Sequence, residues 1–402
     1  MLSVSEAIHV VQKQTRRLPA ALVPLAEARG RVLAEDVIAE TDLPPFDRAL
    51  MDGYAMRAAD LQNAPAALRV VGEAAAGRGW RGTLKAGEAI RIMTGAPVPE
   101  GADSVQQVEL TRETEGGTVV EIDRPTTPGQ FITKRATEVK KGETALRTGT
   151  TINAAMMAAL ASFGYARVRV GTKPRVAVLA TGSELVPVEA RPGSDQIRDS
   201  NSYSLLAYAK AAGAHVELLP FAGDDQKQLQ QLIAESAARC DALALSGGVS
   251  MGVYDFTKAA LYALGAEIFF ERVSLRPGKP TVFARLNETL IFGLPGNPVS
   301  VSVTFNLFAR TALRAMQGDA QPALVEEQAV LGREAKGTVE RASYLPARLR
   351  TDERGQLIAE PLRWGGSSDF VAFTQATALL IIPAGVRALP AGEIVKIVRL
   401  PE

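Results

Sequence analysis

Cysteine and histidine are nearly missing from this chain of 402 residues: Cys240 stands alone, accompanied by two histidines, His9 and His215. One thiol cannot build a disulfide framework, and so few soft or imidazole ligands exclude a zinc site of the Cys/His kind. A surplus of one charge is missing too. Lys plus Arg number 45 against 44 for Asp plus Glu, so no global field draws the chain to nucleic acid or to anionic lipid. Any phosphate must therefore be held by local groups. No apolar run reaches about 18 residues, and the N-terminus opens on Ser3 and Glu6 rather than on a leader peptide. We therefore expect a cytoplasmic protein with no membrane partner.

What is present is ordinary for a globular protein: 47% hydrophobic and 22% charged residues. The length allows about two to four domains. Val4, Ala7, Ile8 and Val11 follow helical spacing, so the chain opens on an amphipathic helix. Short β-like runs, "LRVVGEA", "EAIRIMTG" and "TVVEID", then alternate with Gly- and Pro-rich turns. A helix returns over 150–164, with Gly164 as its stop. An all-β block between helical pieces implies an insertion: residues 44–131 form a β-rich domain inside a discontinuous one made of 1–43 and 132–172. From 173 to 318 apolar strands alternate with helices, the pattern of an α/β domain with a parallel sheet. Residues 319–402 read as a small all-β domain.

"GRGWRG", Gly77 to Gly82, satisfies G-x-G-x-x-G but is followed by Thr83, Gly87 and a β run, so it reads as a turn cluster. "ALALSGGVSMGVYDFTKAA" is more informative. A buried strand stops at Gly247-Gly248, and Asp255 stands where the next helix begins. Glycines at a strand end let backbone N–H groups, here those of Gly247 to Ser250, converge on an anion. A carboxylate beside them makes sense if a divalent cation sits between it and a phosphate, although a plain helix cap would explain Asp255 alone. Glu184 of "TGSEL" ends the first strand of this domain and Asp224 of "FAGDD" the second. Three parallel strands thus bring Glu184, Asp224 and Asp255 to one sheet edge, where such folds bind ligands.

Runs flanking Asn287-Glu288-Thr289 predict a hairpin with a three-residue loop. It would set Pro280 beside Pro295 and pair the "PGKP" and "PGNP" loops as a pocket wall. Asn297 fits the N-cap and Pro298 the first turn of the following helix, and Arg272, Arg276 and Lys279 add charge within reach. Met51, Tyr54 and Met56 read as packing, while Asp52 and Thr94 have the look of turn residues.

"MDGYA", "RIMTGAPVPEGAD", "TGSEL", "SGGVSMGVYDFTK", "RPGKP" and "LPGNPVS", in that order, resemble the MoeA family of molybdopterin molybdenumtransferases, to which the E domain of gephyrin is related. The likeness runs from about residue 5 to the C-terminus. It implies a homodimer of four-domain subunits: a discontinuous elongated domain, the inserted β-rich domain, a three-layer doubly wound molybdopterin-binding domain and a C-terminal β-barrel. It implies an active site between the sheet domain of one subunit and the inserted domain of the other. There molybdate enters the dithiolene of adenylylated molybdopterin while the anhydride is hydrolysed and AMP leaves. Carried over by motif, Asp52, Thr94, Glu184, Asp224 and Asp255 would be catalytic. Gly247, Gly248, Ser250, Arg272, Arg276, Lys279, Pro295, Asn297 and Pro298 would bind substrate, and Arg341 and Ser367 match in the last domain. Asp255, with Asp224 or Glu184, would hold Mg²⁺.

The chain departs from the family pattern in places. "RALMDGYA" puts Ala49 where the family has serine, and "ATE" leaves Glu138 where aspartate is usual. Arg272 and Arg276 replace lysines, keeping charge but forking it. Two other readings use the same residues. One is the molybdopterin adenylyltransferase of the pathway, otherwise expected as a partner, which lacks the inserted and C-terminal domains. The other is a carrier or scaffold that binds pterin without turnover.

Overall fold

The computed structural model describes residues 1–223, 225–249 and 256–401. Asp224, Ser250 and Asp255, all expected in the site, lie outside the described residues. Contacts divide the chain into two compact units: 1–35, 148–157 and 167–402 form one, and 36–147 with 158–166 the other.

In the larger unit, helix Val4–Gln14 starts on a capping box, Ser3 Oγ accepting from the Glu6 N–H while the Glu6 carboxylate accepts from the Ser3 N–H at 2.7 Å. Its buried face is Val4, Ala7 and Val11, as the spacing predicts. The central sheet has six strands in the order His215–Leu218, Arg175–Ala180, Ala242–Ser246, Thr289–Leu294, Pro280–Leu286, Glu267–Arg272. The first four are parallel, and the last two return antiparallel. Period-two alternation sends Val176 and Val178 to one apolar layer with Leu205, Val301 and Phe308, and Ala177 and Leu179 to the other with Leu229, Ile233 and Leu261. Helices therefore cover both faces, giving the three-layer, doubly wound arrangement. The strand order reverses between Arg175–Ala180 and Ala242–Ser246: the chain leaves the first strand toward His215–Leu218 and comes back to pair on its opposite side. That reversal opens a crevice beyond the carboxyl ends of those two strands.

The hairpin differs from expectation in its loop. Leu286 pairs directly with Thr289, so the turn holds two residues, with Asn287 at φ +55°. Asparagine tolerates that left-handed conformation, which shortens the loop by one. The segment after Pro298 is a helix, Pro298–Thr304, that runs through a π turn, Phe305–Ala309, into Arg310–Met316. At the C-terminal end, strands Glu326–Leu331, Ala342–Thr351, Leu357–Pro361, Ala378–Ile382 and Ile394–Arg399 close on themselves, because Ala342–Thr351 pairs with both its neighbours in a ring. This is the small barrel the resemblance implied.

The smaller unit is built on a six-stranded sheet in the order Ser104–Gln107, Gly53–Met56, Glu88–Ile92, Ala66–Ala74, Val119–Ile122, Thr111–Thr114. It carries an apolar cluster on each side, Ala55, Ile90 and Val105 in one, Tyr54, Met56 and Val120 in the other. Tyr54 and Met56 pack as expected, but Met51 does not: it precedes the strand, in a bend, and is exposed. "GRGWRG" is a turn cluster, closed by Ala75 and Arg78 bonding to each other, with Gly77 at φ +78°.

Candidate active site at the strand ends

The crevice at the strand reversal is a cavity of about 1230 Å³. Its walls are the turn Thr181–Glu184, the turn Ser246–Val249, the loop Pro295–Pro298, and the stretch leading into helix Asn201–Ala211. Pro280 lines it as well, so the two Pro-Gly loops do meet there, as the hairpin register (Val282 opposite Gly293) requires.

Each wall has a local cause. Gly247 and Gly248 adopt φ +97° and +62°, which side chains rarely take, and a Cβ on Gly247 would sit 2.5 Å from the Thr181 carbonyl oxygen. The turn therefore lies tightly against Thr181, whose N–H and hydroxyl both donate to the Ser246 carbonyl at 2.8 and 3.3 Å. One expectation is corrected. The Gly247 N–H does not face the cavity as an anion donor, because it donates to the Leu294 carbonyl at 3.1 Å and extends the sheet ladder by one residue. Glu184 is exposed on the cavity wall, beyond Gly182, which lies at φ +151°.

Asn297 sits at the N-cap and Pro298 in the first turn of the helix. Yet the Asn297 side chain makes no cap bond; it donates to Ser367 Oγ at 2.9 Å, and the Ser367 carbonyl accepts from the Val299 N–H at 3.0 Å. Ser367 is thus brought to the start of that helix. Arg341 donates to the Leu275 carbonyl at 3.3 Å, next to Arg276, whose short strand pairs with Ala342 and Ser343. Arg272 and Lys279 line a separate depression with Met1, Leu2, Phe270 and Glu271. Arg272, Arg276 and Lys279 are therefore not among the residues of the cavity wall, although Lys279 directly precedes Pro280.

In the smaller unit Gly53 pairs with Ile92, which sets Asp52 near the turn after that strand. Asp52 Oδ1 accepts from the Thr94 N–H at 2.6 Å and from its hydroxyl at 2.8 Å. Those two bonds hold the Asp52 carboxyl below its ordinary range. Of the departures, Ala49 is buried and pairs with Ile132, and Glu138 forms an exposed ion pair with Arg48 at 3.0 Å.

Sequence reasoning overlooked the run before helix Asn201–Ala211. Arg198, Asp199 and Asn201 line the cavity, and so does Ser246 at the end of its strand. "RDSN" was legible only as a helix start, and Asp199 does accept from the Ser202 N–H at 3.0 Å. The Asn201 contacts reach much further, to Ser246 and Gly296.

Comparison with known proteins agrees over the whole chain. Residues 2–164 match the MoeA N-terminal region (domain I and II), 177–315 a probable molybdopterin binding domain, and 328–400 the MoeA C-terminal region (domain IV). The molybdopterin molybdenumtransferase of Bacillus subtilis (strain 168) is 34% identical across 100% of this chain and 94% of its own length. That of Staphylococcus epidermidis (strain ATCC 12228) is 33% identical across 99% and 95%. Among solved structures, the molybdopterin biosynthesis MoeA protein from Pyrococcus horikoshii OT3 superposes with a TM-score of 0.85 at 30% identity, covering 100% of both chains. With every region matched in order and relatives this similar along their full length, the chain belongs to the MoeA family.

Proposed function

We propose that this protein inserts molybdenum from molybdate into adenylylated molybdopterin, hydrolysing the anhydride and releasing AMP. The observation that carries the reading is the strand-end cavity, floored by tight glycine turns and walled by two Pro-Gly loops, in a chain of the MoeA family. Its size suits a pterin joined to a nucleotide better than a lone anion. Water adds across the phosphate anhydride, one product being AMP, and the two dithiolene sulfurs replace oxygens of molybdate, which leave as water.

The residues divide this work by location. The turn at Gly248 and the Pro295–Pro298 loop would seat the phosphates. Arg272, Arg276 and Lys279 would attract the oxyanion as the charge it carries approaches, with Arg341 and Ser367 steadying the loops beside them. A divalent cation fits the cavity rim, since hard cations take oxygen ligands and the Glu184 carboxylate is exposed there. Among the described residues no group of three or more acidic, His or Cys side chains could hold a metal. That is the ordinary situation for Mg²⁺, which takes one or two carboxylates and leaves its other positions to phosphate and water. Asp255, with Asp224 or Glu184, would hold it, and when bound it would neutralise charge on the anhydride. Asp52 and Thr94 would serve from the inserted domain of a second subunit in a cytoplasmic homodimer, with the adenylyltransferase that makes the substrate as a pathway partner.

The test is AMP release from adenylylated molybdopterin by purified protein. Release accelerated by both molybdate and Mg²⁺ is the expected result. Release that ignores molybdate, or none at all, defeats the proposal. ATP-dependent formation of the substrate would instead point to the adenylyltransferase, and fewer than about one turnover per subunit to a carrier.

A further inference from the structure

Asn201 and Ser246 form a hydrogen-bonded pair on the cavity wall. One amide nitrogen, Asn201 Nδ2, donates to Ser246 Oγ at 2.8 Å and to the Gly296 carbonyl at 2.7 Å. The Gly296 oxygen can only accept, so it fixes which end of the amide faces it. Both amide hydrogens are then used, and Ser246 Oγ receives one of them. The hydroxyl proton of Ser246 is left with no acceptor among the described residues, although the residue is 2% exposed and lines the cavity. Asn201 Oδ1 is likewise buried without a partner. Buried donors and acceptors are nearly always satisfied, and a pair built only to brace the fold would satisfy its own groups. The two segments tied by Asn201, the strand end before Gly247 and the loop at Gly296, are adjoining parts of the same cavity wall.

We propose that Ser246 is a ligand-binding residue whose hydroxyl proton goes to an oxygen of the bound phosphate ester, and that Asn201 is the positioning residue that turns it there. This rests on the reading that the cavity takes an adenylylated pterin. Because Asn201 supplies hydrogens to both neighbours, Ser246 must act as acceptor toward it and as donor toward the ligand.

The probe is AMP, titrated calorimetrically into the full-length protein. Ser246→Ala should weaken AMP binding by about tenfold or more, the usual loss for a hydrogen bond to a charged group. Ser246→Thr, which keeps the hydroxyl, should recover most of it. Asn201→Asp keeps the shape, but its carboxylate takes the Ser246 proton, so AMP binding should fall as well. Adding Ser246→Ala to Asn201→Asp should then cost nothing further. AMP binding by Ser246→Ala within about twofold of the parent, no AMP binding by the parent, or additive losses in the double variant overturns the proposal. If Ser246→Ala does not fold, unchanged AMP binding by Asn201→Asp overturns it by itself. Molybdate-dependent AMP release by the parent is measured separately. Its absence, with AMP titrations as expected, would sink the functional reading and leave this pair standing.

Discussion

At the scale of single residues, two titratable groups have environments that can be checked directly. The Asp52 carboxyl is lowered first by the Thr94 N–H and then by its hydroxyl. A carboxyl whose folded value is depressed contributes stability above its ordinary value, here 3.8, and that contribution disappears as pH falls through the folded value. Thr94→Val removes one of the two donors. The Asp52 titration, followed by NMR of its carboxyl carbon, should move up toward 3.8, and an unmoved titration would refute the role given to the hydroxyl. The Cys240 thiol shows the opposite shift. Burial pushes it from 9.0 up to about 11, so the neutral thiol holds throughout the neutral range. Its contribution is fully present below 9.0 and is lost as pH rises toward 11. Native protein at pH 8 should resist alkylation, whereas unfolded protein should take up one label; rapid labelling of native protein would contradict the burial. Among these residues, Asp52 and Thr94 were each marked as functional only by family likeness, and their bond to each other was not legible, since 42 positions separate them and only strand pairing joins them.

At the scale of elements, the glycine turn at the cavity floor gives a paired test. Gly247→Ala places a Cβ 2.5 Å from backbone oxygen at φ +97°, a conformation costing about 1–3 kcal/mol. Gly296→Ala meets nothing closer than 3.8 Å. We expect Gly247→Ala to lower the unfolding temperature by several degrees and abolish AMP release, while Gly296→Ala stays near the parent in stability; equal behaviour of the two by calorimetry would show that the turn is not tight. Most elements were legible because strands buried on both faces and helices with Gly stops leave plain patterns. Helix Gln226–Ala237 is an example, with Leu229, Ile233 and Ala237 buried and Asp225, beside the expected site acid, accepting from the Lys227 and Gln228 N–H groups as its cap. The hairpin loop was misjudged by one residue because Thr289 is in the ladder, its hydroxyl bonded to the Ala237 and Cys240 carbonyls. Where the cations went could not be read, since sequence spacing does not say which side of a loop an arginine leaves from.

At the scale of the whole molecule, the charge is near neutral and, among the described residues, no helix is long and apolar enough to cross a membrane. The proposed active site needs residues of two subunits. Light scattering should therefore give a mass twice the 42.7 kDa of the chain, and a monomer that still releases AMP would refute the shared site. The all-β character of the C-terminal stretch was legible from the lack of long helices after 318, and its closure into a barrel only from the family likeness. What the pattern could not disclose is how the barrel fits its own unit: Tyr344, Leu379, Ile381 and Val398 turn outward from the ring into the core shared with Phe305 and Phe308. Their outward apolar faces look like any other strand in sequence.

The ring of strands at the C-terminal end has a consequence for handling the protein. Each of its five strands has a bonded neighbour on either side, so none offers a bare row of amides on which a stray chain could build. Fibril growth would have to begin by opening that ring, and concentrated stocks should cloud through other segments first.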